Sequence, residues 1–205
     1  MPSSKSNVVV STVGVKEWIE KIPSVTRLRP DRCVHCGKAS RPVGESLKIW
    51  GHGLRSRQFL GMFEWSGDPE AITIQIRRFL CRHPDCGRTI TVLPREASPR
   101  RRYLLGTIVV ALALWTLHTD ESTTSIRRRL SPDQLADHHI PWRGWPQLMR
   151  WADQLDPTGC GQPASKPRRK RAERIVQHFA SRAPPSTRGL GLVRRAFIGA
   201  GGQSF

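Results

Sequence analysis

The chain has 205 residues and a formal net charge of +18, from 34 Lys and Arg against 16 Asp and Glu. Hydrophobic residues make up 38% and charged residues 24%, so the length suits one ordinary domain or two small ones, with a packed core expected in only part of the chain. Charge of this size argues against a merely solvated basic surface and for a polyanionic partner: DNA, RNA or an anionic membrane surface.

Residues 1–14 are rich in Ser and Val and weakly patterned, with no charged segment leading a long apolar run. No secretory signal is therefore read there, and the cysteines are expected to stay reduced. Val15 to Ile22 predicts two helical turns stopped by Pro23, with Trp18, Ile19 and Ile22 facing inward. Leu47 to Trp50 reads as a strand, and the Gly-rich, basic Gly51 to Gln58 as a loop or irregular strand pair. Ser66 to Glu70 is a turn signal. In Ala71 to Cys81, Ile72, Ile74 and Ile76 alternate with Thr73, Gln75 and Arg77, which predicts a strand. Arg88 to Pro94 predicts another.

Arg95 to Tyr103 reads as a basic linker with four arginines. From Tyr103 the pattern is helical and apolar nearly all round, so this helix is expected in the centre of a small helical core. Leu104 to Leu117 is too short for a bilayer span, which needs about 20 apolar residues. Thr123 to Leu130 predicts a helix capped by Ser or Asp, with Ile126 and Leu130 inward. Ser131 to His139 predicts another with Pro at its first position, Ile140 to Trp145 a loop, and Pro146 to Leu155 a further helix. Gln162 to Arg174 is a basic low-complexity run expected to be disordered at its start. Arg174 to Ala180 and Gly191 to Ile198 are candidate short helices separated by Pro184-Pro185.

Four of the five cysteines lie in two short loops, CVHCG (Cys33 to Gly37) and CRHPDCG (Cys81 to Gly87). A short loop lets one turn present two sulfurs, and the glycine after the second cysteine suits a left-handed backbone that turns the chain back over them. The pattern predicts one structural zinc ion held by Cys33, Cys36, Cys81 and Cys86, because a closed thiolate set leaves no position for a reacting water. His35 and His83, inside the loops, are alternative ligands. Cys160 reads as a free thiol and His138-His139 as a helix end. No P-loop, G-x-S-x-G or H-E-x-x-H motif occurs.

Three helices with short breaks after a basic linker suggest a helix-turn-helix. Thr124, Arg127 and Arg128 are one candidate reading set, and Gln147 and Arg150 another. Arg100, Arg101, Arg102, Arg168, Arg169, Lys170 and Arg171 are candidate phosphate contacts.

The order CVHCG, GHGLRSR, RFLCRHPDCGRTITVLP and PRRRY opening an apolar helix resembles the amino-terminal zinc-ribbon plus helix-turn-helix region of bacterial insertion-sequence transposases, including stand-alone forms of it. The resemblance covers roughly Arg32 to Leu155. In those transposases a catalytic domain with three spaced carboxylates follows. This sequence departs there, since Glu173 is the one acidic residue after Asp156. It departs also in the insertion from Ser131 to Trp142. The resemblance implies recognition of mobile-element ends, or a derived regulator, without strand transfer.

The expected fold is α+β: an N-terminal segment (1–30), a zinc ribbon (31–94), a helix-turn-helix-like unit (95–156) and a basic, partly disordered tail (157–205). The expected function is double-stranded DNA binding in the cytoplasm, in association with the nucleoid. It involves structural zinc, no catalysis, no membrane and no small-molecule substrate. Two alternatives stay open. One is an RNA-binding ribbon in which Trp50, Phe59 and Phe63 stack bases. The other is the DNA-binding subunit of a split transposase with a separate catalytic chain.

Overall fold

The structure, a computed structural model, describes residues 7–131, 144–155 and 167–201. The chain is mixed α+β, with a four-stranded sheet and seven α-helices among the described residues. It divides into two compact units, Met1–Gln58 with Thr73–Arg101, and Phe59–Ile72 with Arg102–Phe205. This division differs from the expected one. Partners far apart in sequence group residues 7–30 and 95–101 with the cysteine loops, and residues 167–201 with the helical unit.

The first unit contains β1 (Val8–Val10), α1 (Val15–Glu20), α2 (Val25–Leu28), most of β2 (Ile49–Gly61) and β3 (Glu70–Cys81), and β4 (Thr89–Leu93). The strand order is β1-β4-β3-β2. β1 runs parallel to β4 with Val9 opposite Val92, and β3 runs antiparallel to β4 with Phe79 opposite Ile90. A three-residue strand carries no periodicity to read, so β1 is defined by its distant partner.

α1 buries Val15 and Trp18, and the Trp18 indole donates to the Gln75 carbonyl at 2.8 Å. Ile19, expected to face inward, is 44% exposed. One residue turns about 100° around a helix, which carries Ile19 off the face of Trp18. Ile22 lies beyond the helix end. The 95–101 segment is not an open linker either. Glu96 and Ala97 are buried, and the Glu96 carboxylate accepts from the Val15 amide at 2.8 Å. That bond satisfies one of the amides a helix leaves unpaired in its first turn.

The expected loop at Gly51 to Gln58 is instead part of the continuous strand β2. Two glycines hide it from propensity reasoning. Gly53 has φ +86, and a Cβ on Gly51 would stand 3.1 Å from a methyl of Val25. Pairing with β3 holds the strand. Just beyond the strand ends the Lys48 carbonyl accepts from the Arg82 backbone amide at 2.7 Å, and between the strands the Ser56 hydroxyl accepts from the Gln75 side-chain amide at 2.8 Å. On β3 the expected alternation buries Ile74 and Ile76, then passes to Phe79 and Cys81. These pairs have opposite parity, so both faces of the strand feed the core.

The second unit is built on α3 (Leu105–Leu117), buried continuously from Gly106 to Trp115 as its apolar circumference requires. α4 (Thr123–Leu130), α5 (Pro146–Gln154), α6 (Arg168–Ser181) and α7 (Leu192–Gly199) complete its core. Ser122 caps α4 by accepting from the Ser125 amide, and Ile126 and Leu130 point inward. Leu148, Trp151 and Ala152 do the same for α5. Tyr103, Trp145 and Trp151 meet edge to face at centroid distances of 5.7, 5.3 and 5.0 Å.

The basic tail expectation is corrected over the described part. α6 buries Ala172, Ile175, Val176, Phe179 and Ala180, and α7 buries Ala196 and Phe197. The dense charge of Arg168 to Arg171 masks an apolar stripe that starts one residue later. The helix expected from Ser131 to His139 beyond its first residue, the 140–143 loop, His138-His139, Cys160 and the start of the basic run lie outside the described residues.

α5 and α6 are joined through Asp153, which pairs with Arg168 at 3.2 Å and with Arg171. Arg171 is itself buried. Asp153→Asn leaves a guanidinium inside the protein without its counter-charge. We expect a loss of about 1–3 kcal/mol, read from the midpoint of urea unfolding.

Candidate metal centre and basic surface

Both cysteine loops are hairpin tips of the first unit. The Cys33 amide bonds the Lys38 carbonyl, and the Cys81 amide bonds the Arg88 carbonyl, each at 3.0 Å. Gly37 (φ +74) and Gly87 (φ +58) take the expected left-handed turn after the second cysteine of each loop. The turn aims backbone amides at sulfur. Those of His35 and Cys36 face Cys33, that of His83 faces Cys81, and that of Arg88 faces Cys86.

The four sulfurs lie within 4.8 Å of one another. Cys33 to Cys86 is 3.6 Å and Cys36 to Cys81 is 3.9 Å. A tetrahedron of metal–thiolate bonds of about 2.3 Å has edges of about 3.8 Å. The set could therefore hold one metal ion, and a four-sulfur tetrahedron suits zinc or iron. Neither histidine joins it. His35 Nε2 meets the Thr89 carbonyl at 3.2 Å and His83 Nε2 the Ala39 carbonyl at 3.0 Å, which ties each loop to a neighbouring strand or turn. An exposed Lys38–Asp85 pair at 3.2 Å adds a cross-link of small worth between the loops.

The thiols are unequal. Burial pushes Cys81 up to about 12 and raises Cys86 as well. Burial acts in the same sense on Cys33, but the Cys36 and His35 amides, together with the Cys86 and Cys36 thiols, outweigh it and bring that thiol down to about 7. A metal takes thiolates, so it must displace the protons that Cys81 and Cys86 hold at neutral pH. Metal affinity is thus expected to fall as pH drops below 7, where Cys33 also takes its proton. Competition with a chromophoric chelator between pH 8 and 5.5 measures this, and a flat profile contradicts it.

The chain matches no family model, no curated protein and no solved structure.

The candidate nucleic-acid residues fall into three groups. Arg100, Arg102, Arg128, Gln147, Arg150 and Lys170 are exposed, and Arg100 adopts a left-handed φ of 62. Thr124 and Arg127 are half-buried on α4. The rest have work inside the protein. Arg101 is half-buried, donates to the Ser98 hydroxyl at 2.9 Å, and is lowered from its ordinary value by burial. Arg168 and Arg171 hold Asp153. Arg169 donates to the Thr119 carbonyl at 3.1 Å and lies over the Trp115 ring. The run from Arg168 to Arg171 is therefore largely structural. Of the candidate stacking aromatics, Phe59 is fully buried and Phe63 half-buried, while Trp50 is 45% exposed under the Arg82 guanidinium.

Edge strand β2 adds an exposed surface that the glycine-rich reading concealed. Trp50, His52, Leu54 and Arg55 all reach solvent along it. Only the strand assignment, which depends on β3, places them along one edge strand.

Proposed function

We propose that this protein binds double-stranded DNA through a zinc-supported module and a helical unit, and has no catalytic activity of its own. The four-thiolate cluster carries the reading. Its edges suit zinc, it is closed to substrate, and it sits in a chain of +18 charge. A structural metal within so basic a chain favours recognition of a polyanion over chemistry. Helices α4 and α5 pack on α3 and present Arg128, Gln147 and Arg150 to solvent, in keeping with a helix-turn-helix role. The likeness in motif order to the recognition region of insertion-sequence transposases points the same way, toward binding at mobile-element ends or regulation derived from it.

Selection of bound duplexes from a random library, with zinc content measured on the same sample, tests the proposal. Affinity should drop by about 10³-fold or more between 50 and 200 mM salt, the fall expected for six or more phosphate contacts. A salt-independent affinity, or no duplex binding by the zinc-loaded chain, overturns it. A second reading, single-stranded RNA, is favoured by Trp50 alone, which combines exposure with an arginine stacked over it. Competition between duplex DNA and RNA separates the two.

A further inference from the structure

The arginines do not end with the run that opens α6. No Asp or Glu follows Glu173 in the sequence, yet Arg174, Arg182, Arg188, Arg194 and Arg195 do. Elsewhere in the helical unit the cations are answered. α4 and α5 carry Arg127, Arg128, Arg129 and Arg150, but Glu121 pairs with Arg129, Asp120 precedes it, and Asp153 stands on α5. Among the described residues of this unit, the positive charge without nearby carboxylates therefore gathers on α6, α7 and the turn between them.

Packing arranges that charge. The end of α6 lies against the end of α7, since a Cβ on Gly199 would stand 1.7 Å from the Phe179 carbonyl oxygen and 3.1 Å from the Ala183 amide nitrogen. The chain from 182 to 191 must then run back along α7 to reach its start at Leu192. Arg182 leaves α6 at one end of this path, Arg188 precedes α7 at the other, and both are exposed. Arg194 and Arg195 are half-buried on α7 itself. The turn is stiff. Pro184 and Pro185 fix their own φ. The Thr187 hydroxyl and amide both donate to the Pro184 carbonyl, at 2.6 and 2.9 Å, and the Leu190 amide donates to the Thr187 carbonyl at 2.9 Å. The Arg182 guanidinium rests over the Phe179 ring, 5.7 Å from its centroid. Cations held on a fixed backbone lose less freedom when they meet a ligand.

The dimensions choose the ligand. α7 has eight residues and so is about 12 Å long. A duplex carries one phosphate per about 1.7 Å of its axis, so the same span holds about seven. A single small anion can meet one end of this row but not both. We infer that the α6–α7 corner is a contact surface for the phosphate backbone of a nucleic-acid duplex, with Arg182 and Arg188 as its exposed contacts. The inference rests on the nucleic-acid reading and deepens it. It places an electrostatic contact on helices beyond the stretch that resembles the transposase region, and apart from α4 and α5.

The test is the salt dependence of duplex affinity, measured on the metal-loaded full chain and on its Arg182→Gln/Arg188→Gln variant. Losing two phosphate contacts should lower the slope of log affinity against log salt by about 1.8, so that the fall between 50 and 200 mM salt becomes about tenfold smaller. Arg182→Lys/Arg188→Lys keeps both charges and should keep the slope, with unfolding midpoints alike in the two variants. Lys21→Gln/Arg27→Gln removes the same net charge from exposed positions of the first unit and should leave the slope unchanged. A slope unaltered by the glutamine pair at 182 and 188, or lowered equally by the pair at 21 and 27, overturns the inference and leaves DNA binding standing. A chain that binds duplex RNA and not duplex DNA, with its slope lowered by the 182 and 188 pair, keeps this surface and defeats the DNA-binding proposal. A metal-loaded chain that binds neither duplex defeats both.

Discussion

Cys81→Ser is expected to abolish stoichiometric metal binding and to unfold the sheet around the cysteine loops. Cys81 is wholly buried at the end of β3, and its sulfur stands 3.9 Å from that of Cys36. A serine hydroxyl there cannot complete a thiolate tetrahedron. Structural zinc contributes an apparent ~10–16 kcal/mol at neutral pH, comparable to the whole stability of a small domain. The sheet has little to replace it. β1 has three residues, β4 has five, and β2 carries two interior glycines. Metal content should fall from about one ion per chain to none, and amide protection in β3 and β4 should collapse. Adding a strong chelator to the unaltered protein should produce the same change. A variant that keeps its β-strand protection would show that the core of Trp18, Phe79 and Ile90 stands without the ion.

Gly199→Ala is expected to be the most damaging single substitution in the helical unit. A Cβ at Gly199 would lie 1.7 Å from the carbonyl oxygen of Phe179 and 2.8 Å from its carbon. Both are backbone atoms of α6, so no side-chain rotation relieves the clash. The helices must move apart, which opens the core around Phe179, Ala196 and Phe197. Ordinary overpacking costs about 1–3 kcal/mol. A clash with fixed backbone should cost more, about 3–5 kcal/mol, enough to lower the thermal midpoint by roughly 10 °C or more. Gly106→Ala makes a useful comparison, because its Cβ would meet the Phe197 ring at 2.7 Å. A ring can shift, so the loss there should be smaller. Equal losses at the two glycines would mean that α6 and α7 are not limited by backbone contact.

The two glycines are silent in the sequence. Gly199 sits in a short helical pattern where glycine reads as a weakness or a helix end, and nothing local says that a carbonyl twenty residues earlier occupies its Cβ position. The cysteine loops are the opposite case. Two cysteines within four or six residues followed by glycine carry their geometry locally, through one turn and one left-handed residue. The full set Cys33, Cys36, Cys81 and Cys86 was therefore legible before any tertiary contact was known. The apolar circumference of α3, a Ser or Asp cap for α4 and its inward pair Ile126 and Leu130 were legible for the same reason: each depends on residues within about two turns.

Partners far apart in sequence were decided only in three dimensions. β1 exists because Val8 to Val10 meet Thr91 to Leu93, and β2 is a strand because β3 lies beside it in the sheet. The arginines show the limit most plainly. Sequence establishes that they are many and that the chain is strongly basic, since net charge is a sum that folding does not alter. It cannot tell a guanidinium bound for solvent from one bound for the interior. Arg171 and Lys170 are neighbours in a single basic run, yet one is enclosed beside Asp153 and the other is exposed. On a helix, 100° of rotation separates adjacent side chains, and whether that arc faces α5 or water is settled by packing alone.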